Sequence, residues 1–196
     1  PAHFETDASG SSEFSGSFVR TNSSHSIVIR DDAVVTAATT TFDTTGGGAL
    51  LTGANITFWK TLNGATTTQA VTLNAGTTGV IEFKGAVGNI SPLSTLTVSQ
   101  SNGVLFRSSV ETNVAVRLDD STGTITFAGN LTTPKLVTAS RPYNLALLGA
   151  STQITATGGS ASTTFINTGY LTLGNDSTDQ LLFAGGLSAT APSAIN

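Results

Sequence analysis

The chain has two histidines, His3 and His25, and both lie in its polar first 25 residues. Ser and Asp are plentiful, so a Ser–His–Asp arrangement could be assembled on paper. No Gly-x-Ser-x-Gly nucleophile elbow occurs to place such a serine. A polysaccharide lyase on a β-helix would need carboxylates holding Ca²⁺ and a basic residue to abstract a proton. Lys60, Lys84, Lys135, Arg107, Arg117 and Arg141 are instead dispersed over different segments, which is the pattern of single solubilising charges. No residue is therefore assigned a catalytic role. The calcium candidates are Asp119-Asp120 and Asp176 with Asp179, with Asp31-Asp32 as a further acidic pair. Paired carboxylates at a turn suit a cation that takes six to eight oxygens. Neither an EF-hand loop nor the nonapeptide calcium repeat is present, and Asp is also a common turn residue. No other cofactor is implied, and the absence of Cys removes thiolate nucleophiles, thiolate metal sites and disulfides.

Exposed aromatics are the other chemistry-bearing group. Trp59, Tyr143 and Tyr170 are candidates for stacking on carbohydrate, and Phe4, Phe14, Phe18 and Trp59 for a contact surface. Trp59 follows Phe58, so strand alternation points the two in opposite directions. Asn22, Asn55, Asn89, Asn130 and Asn175 each begin an Asn-x-Ser/Thr sequon, so surface glycans enter as possible partners. Thr66-Thr67-Thr68 and the many Thr-x-apolar strands raise an ice-binding reading. Unequal repeat lengths argue against that reading, leaving Thr as a solvated strand residue.

Only 10% of the 196 residues are charged and the net charge is −4. Nucleic-acid binding needs a basic patch that eight scattered Lys and Arg do not make. No apolar run approaches the ~18 residues of a membrane helix. Thr, Ser, Asn and Gly must supply solubility, helix formers are scarce, and the composition points to an all-β protein.

The elements that hold these residues repeat. Phe58, Phe83, Phe106 and Phe127 are separated by 25, 23 and 21 residues. Phe165 follows 38 later, which is two steps of 19, and Phe183 comes 18 after that. The missing member falls near Leu145-Ala146-Leu147-Leu148. A second series runs between them and ends on Leu73, Val98, Leu118, Val137 and Leu173, with Ala156 between the last two. Each segment alternates apolar and polar, the period of a half-buried strand. Asn63-Gly64, Asn102-Gly103 and Gly174-Asn175-Asp176 mark turns. One repeat cannot bury its apolar face, but stacked repeats can. The fold expected is a β-solenoid, a parallel β-helix of short coils of about 17–25 residues. The Phe and Leu/Val series would form two interior ladders. An antiparallel β-sandwich is the alternative.

Residues 1–45 do not follow the repeat. They are expected to be a distinct N-terminal segment, either a cap on the first coil or a strand lying along another chain. Residues 46–196 are expected to be the solenoid. The closing residues 191–196 look like a strand beginning after a turn, so more chain is expected to follow.

The order Ile56-Thr57-Phe58, Asn63-Gly64-Ala65-Thr66, Val71-Thr72-Leu73-Asn74-Ala75-Gly76, Gly79-Val80-Ile81-Glu82-Phe83 and Leu93-Ser94-Thr95-Leu96-Thr97-Val98 resembles the repeats of filamentous-haemagglutinin-like and "beta strand repeat" bacterial surface adhesins. The resemblance covers roughly residues 50–190. It implies a secreted, non-enzymatic, repetitive β-protein used for attachment, matrix or cell-surface structure, and it carries over no catalytic residue. Two functions follow as expectations. One is a filament or surface-layer subunit that self-associates through its solenoid ends or N-terminal segment. The other is a passive stalk or carbohydrate-binding module of a large adhesin. Both place the chain outside the cell.

Overall fold

The structure is a computed structural model that describes residues 3–22, 25–158 and 161–196. It is all-β, with no helix among the described residues. Every registered strand pair is parallel, which sets aside the antiparallel sandwich. The chain winds a three-faced β-solenoid of about eight coils. The first face is a nine-stranded sheet running from His3–Glu5 through Ser26–Ile29, Ile56–Phe58, Ile81–Phe83, Val104–Phe106, Thr124–Phe127, Asn144–Leu147 and Tyr170–Leu173 to Ala194–Ile195. Each coil is numbered from its strand on this face. The second face starts at Ser11–Phe14 and ends at Gln180–Phe183; the third starts at Phe18–Arg20 and ends at Leu187–Ser188. The strand Val110–Leu118 turns the corner between them, pairing through Val110 on the second face and through Val116 on the third.

Alternation sets which side chains face inward. On the first face Ile29, Phe58, Phe83, Phe106, Phe127, Leu147 and Leu173 stand in one column. On the third, Val19, Phe42, Leu73, Val98, Leu118 and Thr138 do so. Phe58, Phe83, Phe106 and Phe127 stack nearly parallel with centroids 4.8, 5.0 and 4.5 Å apart. Phe42 and Phe14 extend the column downward edge to face.

Several expectations are corrected. Coils run from 20 residues (Ile125 to Leu145) to 29 (Ile27 to Ile56), because extra residues collect in corner loops while the strands keep register. Val137 pairs with Arg117 and faces outward, whereas Leu136 and Thr138 face in; a shift of one residue reverses every side chain. Leu173 belongs to the first-face column, above Leu147. Phe183 pairs with Ile154 on the second face. Phe165 lies just beyond the third-face strand Thr163–Thr164 and is fully buried. The N-terminal segment is not set apart from the repeat. The described residues between His3 and Asp43 wind the first two coils, so a boundary at 45 falls inside the solenoid. The Phe14–Phe42 and Phe42–Phe58 ring contacts carry the core across it. Pro1, Ala2, Ser23 and Ser24 of that segment lie outside the described residues.

Candidate functional site

The corner leaving the first face gathers Arg30, Trp59, Lys84 and Arg107 in four successive coils. Ladder bonds fix them in register: Trp59 N donates to Ile29 O (2.8 Å), Lys84 N to Phe58 O (2.8 Å) and Arg107 N to Phe83 O (2.9 Å). Trp59 is 43% exposed. Its ring carries Lys84 Nζ 3.1 Å from the centroid and Arg30 Cζ at 5.2 Å, one cation from the coil after and one from the coil before. Arg30 pairs with Glu5, and Arg107 Nε with Glu82 at 2.6 Å. The indole that sequence offers for carbohydrate stacking is thus clasped by the protein's own cations, an interaction worth about 0.5–2 kcal/mol.

The other aromatics divide. Phe4 (38% exposed) and Phe18 (59%) remain on the surface, with Arg20 Cζ 4.5 Å from the Phe18 ring. Phe14 is buried, which corrects its assignment to a contact surface: it faces inward beside Phe42. Tyr143 is also buried, whereas Tyr170 stays open to solvent. The Tyr143 hydroxyl donates to Leu118 O (3.1 Å) and accepts from Ala139 N (3.1 Å). One coil lower, Asp119 N donates directly to Val98 O. The phenol is therefore inserted into the interstrand ladder in place of a backbone bond. Burial pushes its pKa up to about 12.

The acidic pairs do not converge as calcium ligands. Asp119 faces Arg117 at 3.4 Å and Asp120 faces Arg141 at 3.6 Å. Asp179 accepts from Asn175 N (2.8 Å) and Asp176 N (3.1 Å), and Asp176 from Thr178 N (2.8 Å), so both carboxylates close their own turn. Those Thr178 bonds hold Asp176 below the usual carboxylate range. Among the described residues no three His, Cys, Asp or Glu side chains gather to hold a metal ion. Three sequon asparagines serve the fold: Asn55 accepts from Val80 N, Asn130 from Ser151 N, and Asn175 lies in the Asp179 turn. Asn89 is exposed on the loop after Gly88. The Asn22 sequon runs into Ser23 and Ser24, outside the described residues.

Of two buried carboxylates, Asp43 escaped sequence reasoning and Asp31 entered it only as half of an acidic pair. Asp31 accepts from Thr6 Oγ1 (2.5 Å) and Ser12 Oγ (2.8 Å). Asp43 accepts from Thr45 N (2.7 Å), Thr45 Oγ1 (2.6 Å), Gly47 N (2.8 Å) and Arg20 Nε (2.9 Å). Burial pushes Asp43 up, but these donors outweigh it and hold it below the usual range. Their one usable signal is that Asp31 and Asp43 each end or follow an alternating strand, where a carboxylate can reach turn amides. No family model, curated protein or solved structure matches the chain.

Proposed function

We propose that this chain is a non-enzymatic structural protein of the extracellular surface, a rigid stretch of a filament, matrix or adhesin built from stacked β-coils. The observation that carries the reading is that the polar side chains with chemical potential are used to join coil to coil. Asp31, Asp43, Tyr143 and the Arg30–Trp59–Lys84 column all bond across coils, around an apolar and aromatic interior that runs the length of the stack. Eight coils at about 4.8 Å each make a rod of about 40 Å. Strand edges at either end of such a stack template association, so the partner proposed is a further copy of the chain. A second reading, a stalk with a neutral glycan-binding face, rests on exposed Tyr170 above Thr124 and Asn144 on the uncharged upper half of the first face.

Electron microscopy of the purified chain over a range of concentrations tests the proposal. Fibres that lengthen with concentration support a filament subunit, and single short rods support the stalk. Compact particles without a long axis would overturn both. Release of sugar fragments from acidic polysaccharides incubated with the chain would overturn the non-enzymatic reading.

A further inference from the structure

The joint between coils 1 and 2 is built differently from the joints above it. Among the described residues of coil 1 only Phe14 is a buried apolar side chain, with Val19 partly buried, whereas coil 4 buries Ile81, Phe83, Val87, Leu93, Leu96 and Val98. Thr6 and Ser12 stand where later coils place Phe58 and Leu62, since Thr6 N bonds Val28 O beneath the Ile29–Phe58 column and Ser12 pairs with Ala33. Both hydroxyls donate to the buried carboxylate of Asp31. A second carboxylate, Asp43 of coil 2, takes Arg20 of coil 1 at 2.9 Å. A third, Glu5 of coil 1, pairs with Arg30 of coil 2. Coil 1 is therefore tied down by three carboxylates, two at the corner leaving the first face and one at the corner leaving the third, where the coils above rely chiefly on stacked rings and aliphatic columns.

We infer that this joint is an acid-sensitive latch: protonating the Glu5 and Asp43 carboxylates releases coil 1 and bares the strand edges of coil 2, Ser26–Ile29, Asp32–Val35 and Thr39–Asp43. A protonated carboxyl neither holds a guanidinium nor accepts from two donors as a carboxylate does. Coil 1 then retains little buried apolar surface to hold it. The bonds from Arg30, then His3, hold Glu5 below the usual carboxylate range, and Asp43 is held low as described above. A depressed carboxyl adds stability that is full above its unfolded pKa and is lost as pH falls through its folded value. The latch is thus closed at neutral pH and opens in the acid range below about pH 4. The remaining charged groups at the joint do not reverse this. His3 faces Glu5, and Lys60 of coil 3 bonds Ala8 O and lies near Asp7 and Asp32. Glu13 pairs through its backbone with Val34, and His25 contacts Asn22. The bared edges would accept parallel strands from a second copy of the chain.

Amide hydrogen exchange of the whole chain, expressed as protection relative to the intrinsic rate at each pH, reads the latch directly. Between pH 7 and pH 3, protection over residues 3–20 should fall at least about tenfold while residues 56–127 keep theirs. Glu5→Gln with Asp43→Asn should show the open pattern already at pH 7, and Asp176→Asn, at a far turn, should not. Equal loss over the whole chain on acidification, or undiminished protection of residues 3–20 at pH 3, would overturn the inference.

Discussion

At the scale of single residues the interior obeys a rule of size. Coils 1 to 6 each supply one phenylalanine ring to the core, in order Phe14, Phe42, Phe58, Phe83, Phe106 and Phe127, and coil 6 adds Tyr143. Phe165 and Phe183 continue this in coils 7 and 8, with centroids 6.0 Å apart. The rings come from the second face, then the third, then the first. A triangular cross-section closed by short strands holds one phenylalanine ring per layer, and any face can provide it. Phe106 is sandwiched at 5.0 and 4.5 Å by its neighbours, so Phe106→Ala removes two stacking partners along with its own burial. It should cost about 3–5 kcal/mol in urea denaturation. Tyr143→Phe keeps the ring but strands Ala139 N and Leu118 O, with an expected cost of about 1–3 kcal/mol. The same phenol gives a pH signature. Its folded pKa of about 12 stands above the ordinary value of 10.0, so its contribution is full below pH 10 and is lost as pH rises towards 12. Denaturation midpoints of the wild type should fall over that window, and those of Tyr143→Phe should lose this component of the decline.

At the scale of elements, the corners decide what the strands can do. Successive backbones stack so closely at the turn after the first face that a Cβ on Gly129 would lie 2.3 Å from Ser108 C, and one on Gly149 2.2 Å from Gly129 O. Neither neighbour is a flexible side chain, so Gly129→Ala should cost about 1–3 kcal/mol by crowding. Gly16 has nothing closer than Phe18 O at 3.8 Å, and Gly16→Ala should be nearly silent in the same melts. Such corners explain what was legible in the sequence. Phe58 to Phe127 could be read because four consecutive rings come from one face and their coils change length slowly. Leu147 falls at the same register, where sequence spacing left a gap filled by apolar residues. The ruler fails beyond Leu147 because the interior counts rings per coil, whereas a spacing counts residues per face. Coil 7 carries a long corner between Ile154 and Thr163, and its ring arrives from the third-face side as Phe165. There Thr138 Oγ1 donates to Thr164 O and accepts from Ile166 N, a side chain standing in for ladder bonds. Coil 1 was hidden because its inward positions hold Thr6 and Ser12 where later coils are apolar, so composition reads as a polar tail. The Trp59 clasp was half visible. Alternation puts Trp59 outside, but only register reveals that Arg30 and Lys84 lie directly below and above it.

At the scale of the whole molecule, every registered strand pair joins one coil to the next, and ring contacts follow the same nearest-neighbour order. A chain built this way has no centre on which all parts depend, and its stability is a sum of coil and interface contributions. The consequence separates a solenoid from a globular domain of equal size. Phe165 is fully buried and touches Phe183 of the last complete coil. Phe165→Ala should therefore loosen coils 7 and 8 and leave coils 3 to 5 nearly as protected as before. Amide exchange should show the loss confined to about the last 50 residues, with residues 56–100 unchanged within a few-fold. A uniform drop along the chain would mean that the stack unfolds as one cooperative unit. Confinement would mean that a load or a chemical insult at one end is absorbed locally, as nearest-neighbour coupling between coils requires.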